Sequence, residues 1–203
     1  MTRSHRASTL LLAALFASLP LAPALAHTGS GVAVGLVSGF LHPLTGPDHL
    51  IAMVAVGLWG AQLGAPAIWV LPVTFPLVMA VGGVLGLMGV DIPYVEPIIA
   101  FSGLALGAMV ALAARPPLWV AALLVGLFAV FHGYAHGREL PDAADAVAFA
   151  LGFVVATGLL HLTGILLGVL VRWESGARAV RACGAAIGCL GLYFLLSSVG
   201  IVE

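Results

Sequence analysis

The sequence predicts an all-α integral membrane protein: a six-helix transmembrane bundle with a broken first helix, following a cleaved signal peptide. Three observations lead there. Of 203 residues, 62% are apolar and only 7% charged, against roughly a quarter charged in soluble domains. The apolar residues fall into runs of spanning length that do not alternate in polarity, which excludes the short alternating strands of a membrane barrel. The N-terminal segment has the layout of a secretory signal.

That segment, residues 1–26, carries Arg3 and Arg6, an apolar core over 10–19, then Pro20, Pro23, Ala24 and Ala26. The core is short for the ~20 residues a bilayer requires, which favours a cleaved signal over an uncleaved span. Cleavage after Ala26 would make His27 the mature N-terminus, with an imidazole and a free α-amine able to chelate one ion together. Residues 27–203 then form one domain whose spans lie at roughly 31–60, 66–88, 94–114, 117–136, 145–171 and 178–200. Gly82, Gly83, Gly86, Gly103 and Gly107 supply small surfaces for close helix approach.

Orientation follows from two independent signals. A cleaved leader places the mature N-terminus outside, and six crossings return the C-terminus there. Arg115, Arg172, Arg178 and Arg181 then fall in inner connections, while Asp91, Glu96, Glu139, Asp142, Asp145 and Glu203 fall outside, as the positive-inside rule demands. The expected location is a cell membrane with both mature termini on its outer side. Trp59, Trp69, Trp119 and Trp173 lie near the inner ends, where belt aromatics belong.

A formal net charge of −1 provides no basic surface for nucleic acid. Cys183 and Cys189, six residues apart in one apolar run, make no disulfide framework. The expected partners are the lipid bilayer and a divalent transition-metal ion, with a second copy of the chain as a further candidate.

The metal expectation comes from ionisable residues at membrane depth, where each costs roughly 2.5–3.5 kcal/mol on insertion scales and therefore marks a pathway or a site. In the first span His42-Pro43-Leu44-Thr45-Gly46-Pro47-Asp48-His49 combines two imidazoles and a carboxylate with two prolines. The prolines deprive the carbonyls of Gly39 and Pro43 of their helical donors, so a broken helix is expected. Unbroken, it would hold His42 and His49 about 10 Å apart along its axis, and the break can shorten that gap. In the fourth span His132 and His136, four residues apart, share a helix face. Imidazoles select Ni, Cu, Zn or Fe(II) over Mg and Ca, and no H-E-x-x-H base accompanies the pair. His161, mid-span in the fifth segment, is a further candidate on the route. Glu139, with Glu96, Asp142 and Asp145, forms an acidic rim that would concentrate cations.

The motifs H-P-x-x-G-x-D-H at 42–49, followed by Leu50-Ile51-Ala52-Met53, and F-H-G-x-A-H-G-x-E at 131–139, together with the leader and His27, resemble the HupE/UreJ family of bacterial nickel permeases. The resemblance spans essentially the whole mature chain. It implies high-affinity Ni²⁺ uptake across the inner membrane for nickel enzymes such as hydrogenase or urease, with His42, Asp48, His49, His132 and His136 as metal residues, Glu139 as a weaker one, and no resident cofactor. Five residues separate His42 from Asp48, where the wider nickel/cobalt transporter signature has four.

The residues support a pathway in which the rim and His27 collect the ion, His132 and His136 pass it on, and the first-span motif selects it. They do not rank Ni²⁺ over Co²⁺. No G-x-x-x-x-G-K-[ST] nucleotide loop occurs, so a secondary permease or facilitated pathway is expected and an enzyme is not. Two other classes stay open at this point. One is an intramembrane metal-dependent enzyme with Asp48 as its base, and the other is a proton-relaying or structural bundle.

Overall fold

The computed structural model describes residues 31–140 and 145–202; the expected signal peptide, His27 and Asp142 lie outside the described residues. Among the described residues every regular element is helical: α1 (Val32–Thr45), α2 (Pro47–Leu63), α3 (Ala67–Leu87), α4 (Val95–Ala111), α5 (Leu118–Arg138), α6 (Ala146–Gly168), a 3-10 turn (Val169–Arg172) and α7 (Glu174–Ser198). Four stretches, α3, α5, α6 with its 3-10 extension, and α7, are long and apolar enough to cross a membrane. Large apolar side chains such as Leu77, Leu123, Leu151 and Leu166 cover the outside, a surface suited to lipid.

The break in the first apolar run falls at Gly46, whose backbone is extended. Pro47 forces it: proline disfavours helical geometry in the residue before it and is pre-set for the first helical position after it. Pro43 is accommodated inside α1. The Thr45 hydroxyl donates to the His42 carbonyl at 2.8 Å, satisfying an acceptor that the break leaves without its usual partner.

Beyond the break, α2 is buried almost all round, from Ile51 to Gly60. A helix apolar on every side belongs in the interior, and α2 forms the axis of the bundle, touching α3, α4, α6 and α7. Its N-terminal turn thereby carries Asp48 and His49 into the middle of the protein.

Glycines set how the other helices pair. On α3 and α5, Gly82 lies against Val130 and Tyr134, and Gly86 against Tyr134 and Arg138. Gly133 returns the contact to Met79 and Gly83. Numbers rise together, so these helices run parallel. The same holds for α1 and α2 along α6, where Gly35 meets Asp145, Gly39 meets Phe149 and Gly57 meets His161. On α4 and α7, Gly103 meets Gly191 while Gly107 meets Gly188, so that pair is antiparallel. At most of these positions a Cβ would collide with backbone of the facing helix, which is why small residues occur there.

One expectation is corrected. Trp69, Trp119 and Trp173 are exposed as belt aromatics, but Trp59 is fully buried and its indole N–H donates to the Ala114 carbonyl at 3.0 Å. It lies on the enclosed α2, where a buried indole needs an internal acceptor.

Candidate metal centre

Four helices deliver the candidate side chains. α1 ends with His42, α2 begins with Asp48 and His49, α5 ends with His132 and His136 before Glu139, and α6 carries His161. The outermost group is His42, His136 and Glu139, whose ligand atoms all lie within 4.8 Å of one another. His42 Nε2 is 3.0 Å from His136 Nδ1 and 3.1 Å from Glu139 Oε2. An ionised carboxylate only accepts, so His42 Nε2 carries the proton and donates it towards both neighbours. That hydrogen bond holds the Glu139 carboxyl below the usual carboxylate range, against the effect of partial burial. A cation held among these three atoms would replace the shared proton.

Inward from this group the imidazoles continue as a file. The His136 ring lies 4.9 Å from His42 and 4.5 Å from His49, centroid to centroid, and His49 lies 4.9 Å from His132. From Glu139 to His132 the file descends about 10 Å along α5. Phe153 covers its flank, 4.3 Å from the His136 ring. The side chain of Glu139 is 53% exposed and that of His42 28%, whereas His132 is fully buried. The file therefore opens at one end and is closed to water at the other.

Hydrogen bonds fix which nitrogen each buried ring presents. His49 Nδ1 donates to Asp48 Oδ1 at 2.9 Å, and the same oxygen accepts from the His49 amide. His132 Nδ1 donates to the Phe128 carbonyl at 2.9 Å. Both acceptors lack a proton to give, so each neutral ring keeps its proton on Nδ1 and offers the lone pair of Nε2. The Nε2 atoms of His49, His132 and His136 are buried without a hydrogen-bond partner among the described residues. Buried polar groups are ordinarily paired; the Nε2 lone pairs of His49 and His132 are atoms a borderline cation would take, while a neutral His136, accepting from His42 at Nδ1, keeps its proton on Nε2.

The structure thus distributes the sequence candidates over two adjoining units. His42 joins His136 and Glu139, while Asp48 positions His49, which leads to His132. His136 bridges the two units, and His161 stands apart, deeper in the bundle. Glu96 is exposed on the first turn of α4, close enough to feel the charges of His49, Asp48 and Glu139. Sequence reasoning placed it only in the rim; its signal was an acidic residue at the start of an otherwise apolar helix.

Comparison with known proteins fits this constellation. The model of the family described as HupE / UreJ protein matches residues 13–194. Over 175 residues the chain is 43% identical to Protein HupE of Rhizobium leguminosarum bv. viciae, covering 86% of this chain and 92% of that one. The chain belongs to the HupE/UreJ family. No solved structure matches it. Within this HupE/UreJ protein, both quoted motifs meet at one place: the 42–49 segment and the 131–139 segment supply every imidazole of the file.

Proposed function

We propose that this HupE/UreJ protein is a permease that takes up Ni²⁺, with Co²⁺ as the competing substrate, along a file of imidazoles opening at Glu139 and His42. The observation that carries the reading is the set of buried Nε2 atoms on His49, His132 and His136, left without partners and, in His49 and His132, tautomerically poised. The family's association with nickel or cobalt transport for hydrogenase or urease supports it. In this reading α1 and α2 together make the first of six crossings, and α4, with 17 residues, makes the third at the short end of the spanning range. The parallel and antiparallel helix pairs are those that six alternating crossings require.

The ion is collected by the exposed carboxylates, displaces the proton shared by His42, His136 and Glu139, and moves inward to nitrogen ligands. Imidazole and carboxylate without thiolate give binding firm enough for entry and weak enough for release. Asp48 acts through His49: it fixes the tautomer and adds negative charge at the N-terminus of α2. Its engagement there argues against its being the base of an intramembrane enzyme. The N-terminal leader, cleavage after Ala26 and ion capture by His27 belong to the same proposal, with both mature termini periplasmic.

The test is uptake of radioactive nickel into proteoliposomes holding the purified full-length mature chain, alongside His42→Ala and a cobalt competition series. Accumulation that His42→Ala abolishes is expected. One tightly held ion per chain with no accumulation would instead favour the enzyme.

A further inference from the structure

Below His132, Phe75 of α3 packs edge-on against two imidazoles at once. Its ring centroid is 5.3 Å from that of His132 and 5.4 Å from that of His161. Phe75 and His132 are fully buried and His161 is 2% exposed. Both ring nitrogens of His161 lack a hydrogen-bond partner among the described residues, and so does the buried hydroxyl of Thr157. Thr157 is one helical turn earlier on the same face of α6. A second oxygen belongs to the same place: the carbonyl of Pro72, deprived of its helical donor because residue 76 is proline, lies close to His161, one turn before Phe75 on α3.

Packing alone does not account for these groups. Helical hydroxyls in apolar surroundings normally bond back to the preceding turn, as Thr163 does to the Leu159 carbonyl at 2.8 Å and Ser38 to the Val34 carbonyl at 2.7 Å. Thr157 does not, although it is more deeply buried than either. We infer that His161, Thr157 and the Pro72 carbonyl form a second, inner station for a divalent transition-metal ion, partitioned from the outer imidazoles by the Phe75 ring. One imidazole and two neutral oxygens hold an ion more weakly than the outer set with its carboxylate, so the station favours onward release. The ion passes when the Phe75 side chain turns aside, which makes that ring a barrier to flux and leaves ion affinity to the ligands.

The inference rests on the permease reading. It is tested on the full mature chain by equilibrium dialysis against radioactive Ni²⁺ and by uptake into proteoliposomes. The expected stoichiometry is two ions per chain, falling to one in His161→Leu and to one in His136→Ala. Phe75→Leu should raise the maximal uptake rate with both ions still bound. Thr157→Val keeps the side-chain shape and removes an unpaired hydroxyl, so it should melt higher and yet transport several-fold more slowly; it decides the matter if His161→Leu fails to fold. A parent chain that transports but binds a single ion, or a Thr157→Val chain that is stabilised with unchanged uptake, would overturn the inner station alone. A parent chain that takes up no Ni²⁺ would remove the permease reading and the station together.

Discussion

Replacing Glu139 by Gln keeps an oxygen at the mouth of the file and removes one charge, so its effect can be worked from the geometry. A divalent ion among three atoms that lie within 4.8 Å of one another is held close to the carboxylate. At about 4 Å one pair of unit charges contributes about 1 kcal/mol in a water-like dielectric, and a dication doubles this to about 2 kcal/mol. The water-like limit is the appropriate one because the Glu139 side chain is 53% exposed, where solvent screens ion pairs strongly. Two kcal/mol corresponds to about a 30-fold loss of affinity. The nickel concentration for half-maximal uptake should therefore rise by about that factor in proteoliposomes at low ionic strength, with the maximal rate largely retained, because the inner imidazoles are untouched. The difference should shrink as salt is added. A half-maximal concentration within twofold of the parent at low salt would refute a role for Glu139 in holding the ion.

Three further outcomes are expected. Binding at imidazole competes with protons, so affinity falls as pH falls; uptake at limiting nickel should drop between pH 7.5 and 5.5, and a flat profile would count against histidine ligation at the limiting step. Because the Glu139 carboxyl is held below its usual range by His42, it stays charged across this window and does not itself titrate in the profile. Gly82→Ala places a Cβ against the Val130 carbonyl, with the Tyr134 amide at 3.0 Å; separating α3 from α5 should cost about 1–3 kcal/mol and appear as a lower melting temperature, and a chain that melts like the parent would show that the interface yields freely. Trp59→Phe removes the indole donor to Ala114, should cost about 1 kcal/mol, and should leave uptake intact, as measured by melting and transport side by side.

What the sequence displayed was local. Pro43, Gly46 and Pro47 announce the helix break because proline acts on its own peptide and its nearest neighbours, and the break lies where Pro47 demands. His132 and His136 share a face because a helix repeats every 3.6 residues. What stayed hidden was whatever depends on which helices meet. Nothing in the spacing of His42 and His49 shows that His136 stands between them, or that Glu139 reaches across to His42. Trp59 was misplaced for the same reason: residue position along an apolar run gives depth in the membrane but not distance from the bundle axis, and α2 is the axis. The contribution of His161 was similarly open until Phe75 linked it to His132.

The placement of the unpaired nitrogens bears on how such a chain can both fold and transport. Each buried polar atom without a partner costs about 1–3 kcal/mol, and among the described residues five of the seven such atoms lie on His49, His132, His136 and His161. The compensating features lie away from the file, in the glycine seams that bring α3 to α5, α1 and α2 to α6, and α4 to α7 into backbone contact. Without lipid-excluded apolar area to drive association, such close packing is the main attraction available between helices in a bilayer. The division has a functional consequence. If the imidazoles were satisfied by internal hydrogen bonds, an incoming ion would have to break them, and binding would be slow and weak. Stability supplied at the seams leaves the file free to use its nitrogens on the ion. Substitutions at the seams should therefore lower stability and uptake together, whereas substitutions along the file should separate the two.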